Sequence, residues 1–174
     1  MTVLGYDSLK KVYPEVDESQ RTPNGIDLRI GSLEKIVDDY EDVGVVLDEK
    51  FMATTEKVNW TTKTINGKYY DKLLVLEPNS IYRVNVLDNT HIPSDCIEAY
   101  ALRSTFARNG IFMSCGRGDA GYIGSLQFLL ENRLNKPFYT MKGTRFAQMI
   151  MLKLDKIPEQ LYNGDYQGEF RRYE

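Results

Sequence analysis

A chain of 174 residues, 42% hydrophobic, 11% aromatic and 27% charged, is long enough to bury one real core and too short for two comfortable ones, so a single domain over 1–174 is expected. A formal net charge of −3 argues against a nucleic-acid groove with a dominant positive field, which confines any phosphate chemistry to a small local site. Two cysteines without paired spacing, no apolar leader before Lys11 and no apolar run of membrane-spanning length set the expectation of a reducing cytoplasm, with neither nucleic acid nor membrane as partner.

In chain order, the stretch before Pro14 reads as one short helix capped by Asp7 or Ser8. Thr22 to Gly25 is a turn, and Ile26-Asp27-Leu28-Arg29-Ile30-Gly31 alternates as a half-buried strand does. Residues 35–64, acidic early at Asp38, Asp39, Glu41 and Asp42 and carrying Trp60, read as a solvated surface insertion. Asn66-Gly67 is the strongest hairpin signal in the chain. Leu73 to Leu76 and Ile81 to Leu87 follow as strands around the Pro78-Asn79 turn, and Cys96 to Leu102 leads into a denser stretch.

That stretch is LRSTFARNGIFMSCGRGDAGYIGSLQ, from Leu102 to Gln127. Ser104 reads as the cap of a short helix that Asn109-Gly110 ends. Arg103 and Arg108 beside that helix start suit phosphate. Ile111 to Ser114 is a brief strand, Cys115 to Gly121 a glycine-rich turn holding Asp119, and Tyr122 onward the returning strand. Beyond it come Phe138 to Met141, a Lys142-Gly143 turn, and Arg145 to Leu154, where Phe146, Gln148, Ile150 and Leu152 face opposite to Ala147, Met149 and Met151. Many short strands between turns indicate an all-β barrel or jelly roll with one or two short helices. The tail over 160–174 is polar, aromatic and glycine-punctuated, so it is expected to be flexible until something orders it.

Several strings in this order resemble motifs of the superfamily that unites trimeric dUTP diphosphatases with dCTP deaminases. Gly25-Ile26-Asp27-Leu28-Arg29 is similar to its first motif, Arg103-Ser104-Thr105 with Ala107-Arg108 to the second, and Gly118-Asp119-Ala120-Gly121-Tyr122-Ile123-Gly124 to the third. Gly143-Thr144-Arg145-Phe146-Ala147-Gln148 is similar to the fourth, and Tyr166-Gln167-Gly168 resembles the deaminase tail. One string alone is weak evidence; their order and spacing together are strong.

The resemblance implies a distorted jelly roll of the dUTPase-like type, a homotrimer with active sites between subunits, and Mg²⁺ carried in on a pyrimidine deoxynucleoside triphosphate. It implies that Asp119 orients the attacking water and that Tyr122 lies beneath the deoxyribose. Arg103, Ser104, Thr105, Arg108, Arg117, Gly118, Gln148, Tyr166 and Gln167 are its expected substrate contacts. In the deaminases the working base is a glutamate on the returning strand; counted without gaps from Gly124, that position is Leu129. A leucine cannot shuttle a proton. No His/Cys cluster offers zinc chemistry instead, since His91 stands alone. The expected function is therefore hydrolysis of dUTP to dUMP and pyrophosphate. A dCTP deaminase, mono- or bifunctional, is the first alternative, and a catalytically silent nucleotide- or partner-binding member is the second.

Each site has a plainer reading beside this one. Asp119 without its motif would be an ordinary turn carboxylate. Arg108 is a surface ion pair or a phosphate ligand, and Arg145 ties strands together through a carboxylate such as Asp27. Gln148 is a satisfied core amide or a phosphate donor. Cys96 and Cys115 read as inert buried thiols, and Phe170, Arg171 and Arg172 as a frayed end or a lid.

Overall fold

The computed structural model describes residues 1–37, 42–47 and 49–170. Asp38, Asp39 and Glu41 of the acidic run and Arg171 and Arg172 of the tail lie outside them. In chain order the structure runs β1 (Thr2–Val3), α1 (Tyr6–Val12), a 3₁₀ turn (Glu18–Gln20), β2 (Arg21–Thr22), β3 (Gly25–Ile36), β4 (Gly44–Val46), β5 (Glu49–Phe51), β6 (Thr55–Lys57), β7 (Thr61–Ile65) and β8 (Lys68–Leu76). It continues with β9 (Ser80–His91), β10 (Cys96–Leu102), α2 (Ser104–Ala107), β11 (Ile111–Ser114), β12 (Ile123–Asn132), β13 (Phe138–Met141) and β14 (Arg145–Lys153). The expected all-β class and its pair of short helices are present.

The main sheet is antiparallel in the order β1-β14-β3-β9-β12-β11, with β10 on the other edge of β14 and β2 and β6 against β3. It curls until β10 meets the loop that follows β11. There Glu98 and Gly118 exchange both backbone hydrogen bonds at 2.9 Å. Inside the curl lie Ile30, Leu33, Val84, Val86, Leu130, Phe146 and Met151, all fully buried. At about 25 cal/mol per Å² of apolar surface removed from water, this packing is the main stabilising term. A smaller sheet, β13-β8-β7, flanks it. Asn66 and Gly67 take φ of 49° and 79° between β7 and β8, the left-handed pair that a tight hairpin of right-twisted strands requires.

Four local expectations are corrected. Neither Asp7 nor Ser8 caps α1: the cap position is Gly5, without a side-chain bond. The chain enters already fixed by Leu4 N–H to Met151 O at 2.9 Å and Tyr6 N–H to Pro23 O at 3.0 Å, which puts Asp7 in the first turn, where its charge suits the helix dipole. Ser104 is likewise inside α2 and the cap position is Arg103, because Arg103 N–H donates to Phe146 O at 2.8 Å and holds that residue extended. Asp27 is buried rather than outward-facing, since β14 and β9 flank β3 and arginines cover the carboxylate. Phe146 is in the core beside Ala147, Met149 and Met151, because a bulge between Arg145 and Ala147 shifts the two-residue alternation by one.

Candidate active site

Where β10 closes on the loop between β11 and β12, a cavity of about 400 Å³ opens, a size that suits a small organic ligand. Its walls are Gly116, Arg117, Gly118, Asp119 and Tyr122 of the loop, Ser125 to Phe128 of β12, Tyr100 of β10, and Tyr162, Tyr166 and Glu169 of the tail. The loop is held at both ends. Gly118 is bridged to Glu98, while Gly121 N–H donates to Ile92 O at 3.1 Å and Ile92 N–H to Tyr122 O at 2.8 Å. Asp119 sits between these anchors on a turn closed by Tyr122 N–H to Asp119 O at 3.1 Å. Its side chain is exposed on the pocket wall and takes no hydrogen bond or ion pair among the described residues.

The tail satisfies backbone groups that the sheet leaves open. Tyr162 N–H donates to Ala120 O at 2.9 Å, Gly168 N–H to Ile123 O at 2.8 Å and Ser125 N–H to Glu169 O at 2.8 Å. The Gln167 amide spans the loop, accepting from Ile123 N–H at 3.0 Å and donating to Gly121 O at 2.9 Å. Lys50 Nζ of β5 reaches Asp165 at 2.7 Å and lies 5.5 Å from the Tyr166 ring centroid. The β4–β5 hairpin thus touches the tail beside the cavity.

The structure brings together Arg117, Gly118, Asp119, Tyr122 and Tyr166 on the cavity wall, with Gln167 bonded just outside it. Arg103, Ser104, Thr105, Arg108 and Gln148 are not among the lining residues. Arg103 and Arg145 flank Asp27, with Nη1 atoms 3.3 and 3.5 Å from its Oδ2, and Arg145 also donates to Ser19 O. Gln148 Nε2 donates to Thr22 Oγ1 at 3.0 Å, a satisfied amide between strands. Ser104, Thr105 and Arg108 are exposed on α2 and its end. Cys96 is buried with its thiol pushed up to about 11 by burial, whereas Cys115 is exposed on the loop, against the expectation that both are buried.

Leu129 pairs in register with Arg83 and Ser114, is 37% exposed and does not line the cavity. From Gln127 to Asn132 that register runs without a shift, so Glu131 stays opposite Ile81 and Phe112 and does not slip into Leu129's place.

The carboxylate that sequence reasoning missed is Glu98, fully buried beneath the loop. Tyr13 Oη and Thr90 Oγ1 donate to its Oε1 at 2.6 and 2.8 Å, and Tyr100 Oη to its Oε2 at 2.6 Å. A signal was available: period two places Cys96, Glu98 and Tyr100 on one strand face, an acid where only apolar neighbours are expected. Burial raises the Glu98 pKa above the ordinary carboxylate value, against the hydroxyl donors that favour the anion. A carboxyl raised in the folded state stabilises it fully below the unfolded pKa, and that contribution is lost as pH rises through the folded value. Melting temperatures of wild type and Glu98→Gln should therefore diverge with pH. The wild type has its greatest relative advantage below the ordinary glutamate range and loses it as pH rises through the raised folded value.

The curled, mostly antiparallel sheet with two short helices is a dUTPase-like all-β fold. Residues 6–154 match the model of the dCTP deaminase-like family, and the chain belongs to that family. It is 29% identical over 166 residues to a probable deoxyuridine 5′-triphosphate nucleotidohydrolase of Methanopyrus kandleri, covering 94% of this chain and 98% of the relative. It is 33% identical over 111 residues to a dCTP deaminase of Pyrococcus horikoshii, covering 62% and 71%. Among solved structures, the 2′-deoxycytidine 5′-triphosphate deaminase from Agrobacterium tumefaciens shares the fold at a TM-score of 0.63 and 20% identity, over 86% of this chain and 47% of that one. Among the described residues, no helix is long and apolar enough to cross a membrane.

Proposed function

We propose that this chain is a dUTP diphosphatase of the cytoplasm, hydrolysing dUTP to dUMP and pyrophosphate. The observation that carries this reading is the pairing of an exposed, unencumbered Asp119 on the cavity wall with a leucine at position 129. Asp119 offers a carboxylate for a water, while the strand position matching the deaminases' working base carries a leucine that lies off the cavity. In the reaction, Asp119 accepts a hydrogen bond from water and orients its oxygen toward the α-phosphorus. A bond forms from that oxygen to phosphorus, the bond to the bridging oxygen breaks with its electrons leaving on pyrophosphate, and the water's proton passes to the carboxylate or solvent.

Asp119 and Glu169 do not form a metal ligand set, and no group of metal-binding side chains converges among the described residues. Mg²⁺ fits as an ion held by the triphosphate itself, where it neutralises charge on the phosphate oxygens. Arg117 lies on the wall and offers charge-assisted donors to a phosphate. Arg103, Ser104, Thr105 and Arg108 do not line the cavity of their own chain, so in this reading they serve the phosphates of a site completed by another copy, as a homotrimer would provide. Tyr122 packs beneath the sugar with its hydroxyl donated to Ser125 O at 2.7 Å, while Tyr166 and Gln167 keep the tail over the ligand.

The family model and the Pyrococcus horikoshii relative favour dCTP deamination as the second reading. Incubation with dUTP and with dCTP, each with Mg²⁺, separates the readings. Expected products are dUMP and pyrophosphate from dUTP and no ammonia from dCTP. Ammonia from dCTP would overturn the argument from Leu129, and no turnover of either nucleotide would point to a silent binding member.

A further inference from the structure

The hydrolysis above leaves Glu98 without a task, although burying a carboxyl is costly unless its oxygens are fully hydrogen-bonded. Its neighbours show where that cost is spent. Glu98 and Tyr100 share the inward face of β10, and Tyr100 lines the cavity with its ring centroid 4.9 Å from that of Phe128, another wall residue. The 2.6 Å bond from Tyr100 Oη to Glu98 Oε2 fixes that ring, so the cavity floor has one shape. The loop backbone rests directly on the same pair. A Cβ built on Gly118 would lie 2.4 Å from Ile92 Cδ1, 2.7 Å from Tyr100 Oη and 3.0 Å from Glu98 Cβ. Gly118 is thus the residue that lets the backbone settle to this depth, and Asp119 is the next residue along.

We infer that Glu98 and Tyr100 are a positioning pair for the nucleoside pocket, with Glu98 holding the Tyr100 ring as the floor and both setting the height of the loop that carries Asp119. The inference rests on the nucleotide reading of the cavity and names residues that this reading does not use. Glu98 touches no ligand in this scheme; it acts through Tyr100 and through the bridge to Gly118. Tyr13 and Thr90 hold the same carboxyl from the side away from the cavity. They complete its hydrogen bonds without shaping the floor.

The test is calorimetric binding of dUMP, which carries base and sugar and is not consumed, to wild type, Tyr100→Phe, Glu98→Gln and the double variant, with melting temperatures alongside. Loss of one buried hydrogen bond predicts about tenfold weaker binding in each single variant. The double variant should be no weaker than either, because the two act as one unit. Tyr13→Phe should lower the melting temperature while changing dUMP affinity less than about twofold, given its place behind the carboxyl. Should Glu98→Gln fail to fold, Glu98→Asp, which draws the carboxyl away from Tyr100, takes its place with the same expectation. Wild-type affinity in folded Tyr100→Phe and Glu98→Gln would reduce the pair to a stability element and overturn the inference, with the nucleotide reading intact. If the wild type neither binds dUMP nor hydrolyses dUTP, the nucleotide reading itself fails and takes this inference with it.

Discussion

Asp119→Asn should lower dUTP turnover by roughly 10²–10⁴-fold, the usual contribution of a group that orients and deprotonates a nucleophile. The amide keeps the volume of the carboxylate and one acceptor oxygen but cannot take the proton that the attacking water sheds. The loss should fall on kcat, with KM close to wild type, since Asp119 works on the water rather than on the base or sugar. Melting temperature should stay near that of wild type, because the side chain is exposed and makes no hydrogen bond or ion pair among the described residues. Single-turnover hydrolysis of dUTP, read beside a melting curve, makes the measurement. Full turnover in the variant would remove Asp119 from the reaction.

The contrast between Asp119 and Glu98 shows what kind of site information a sequence carries. The place of Asp119 on the cavity wall was legible because its signals are local: glycines before and after it, a tyrosine three residues on, and a strand returning from the turn all lie within one short string. The Asn66-Gly67 hairpin and the Phe138–Met141 strand were legible for the same reason, turn chemistry and alternation being properties of neighbours. Glu98 draws its partners from Tyr13 on the far side of the sequence and from Thr90 on another strand. Its one short-range signal is the shared strand face with Cys96 and Tyr100, and that alternation does not show which partners would satisfy a buried acid. Asp27 looked outward-facing for the same reason, since the arginines that neutralise it come from the end of β10 and the start of β14. The caps of α1 and α2 escaped because backbone bonds to Pro23, Met151 and Phe146 fix the entering chain before any side chain can act. The engagement of the tail depends on open backbone groups of Ala120, Ile123 and Ser125, which no side-chain pattern reveals.

Phe146→Ala should be among the most destabilising single changes in the molecule, costing about 3–5 kcal/mol. That is a large share of the roughly 5–15 kcal/mol that holds a domain of this kind folded. The ring is fully buried, with centroids 6.4 Å from Phe106 and 5.9 Å from Phe128. From Phe128 the same aromatic chain continues to Tyr100 at 4.9 Å and so to the cavity floor. Truncation would remove the transfer free energy of the ring and leave a void under the strand that lines the pocket, because the surrounding strands cannot collapse onto it without breaking their ladders. Strict alternation puts Phe146 on the face of Gln148 and Ile150, which is only half-buried in the structure. The bulge at Arg145 and Ala147 turns it inward and makes it part of the core. Urea unfolding separates these expectations. A midpoint shift corresponding to less than about 1 kcal/mol is what an exposed position would give, and it would take Phe146 out of the core. Phe146→Leu, which retains much of the apolar volume, should recover a substantial part of the loss. If dUMP affinity fell with stability in the alanine variant and returned with leucine, packing at the centre of the sheet would be tied to the shape of the pocket floor.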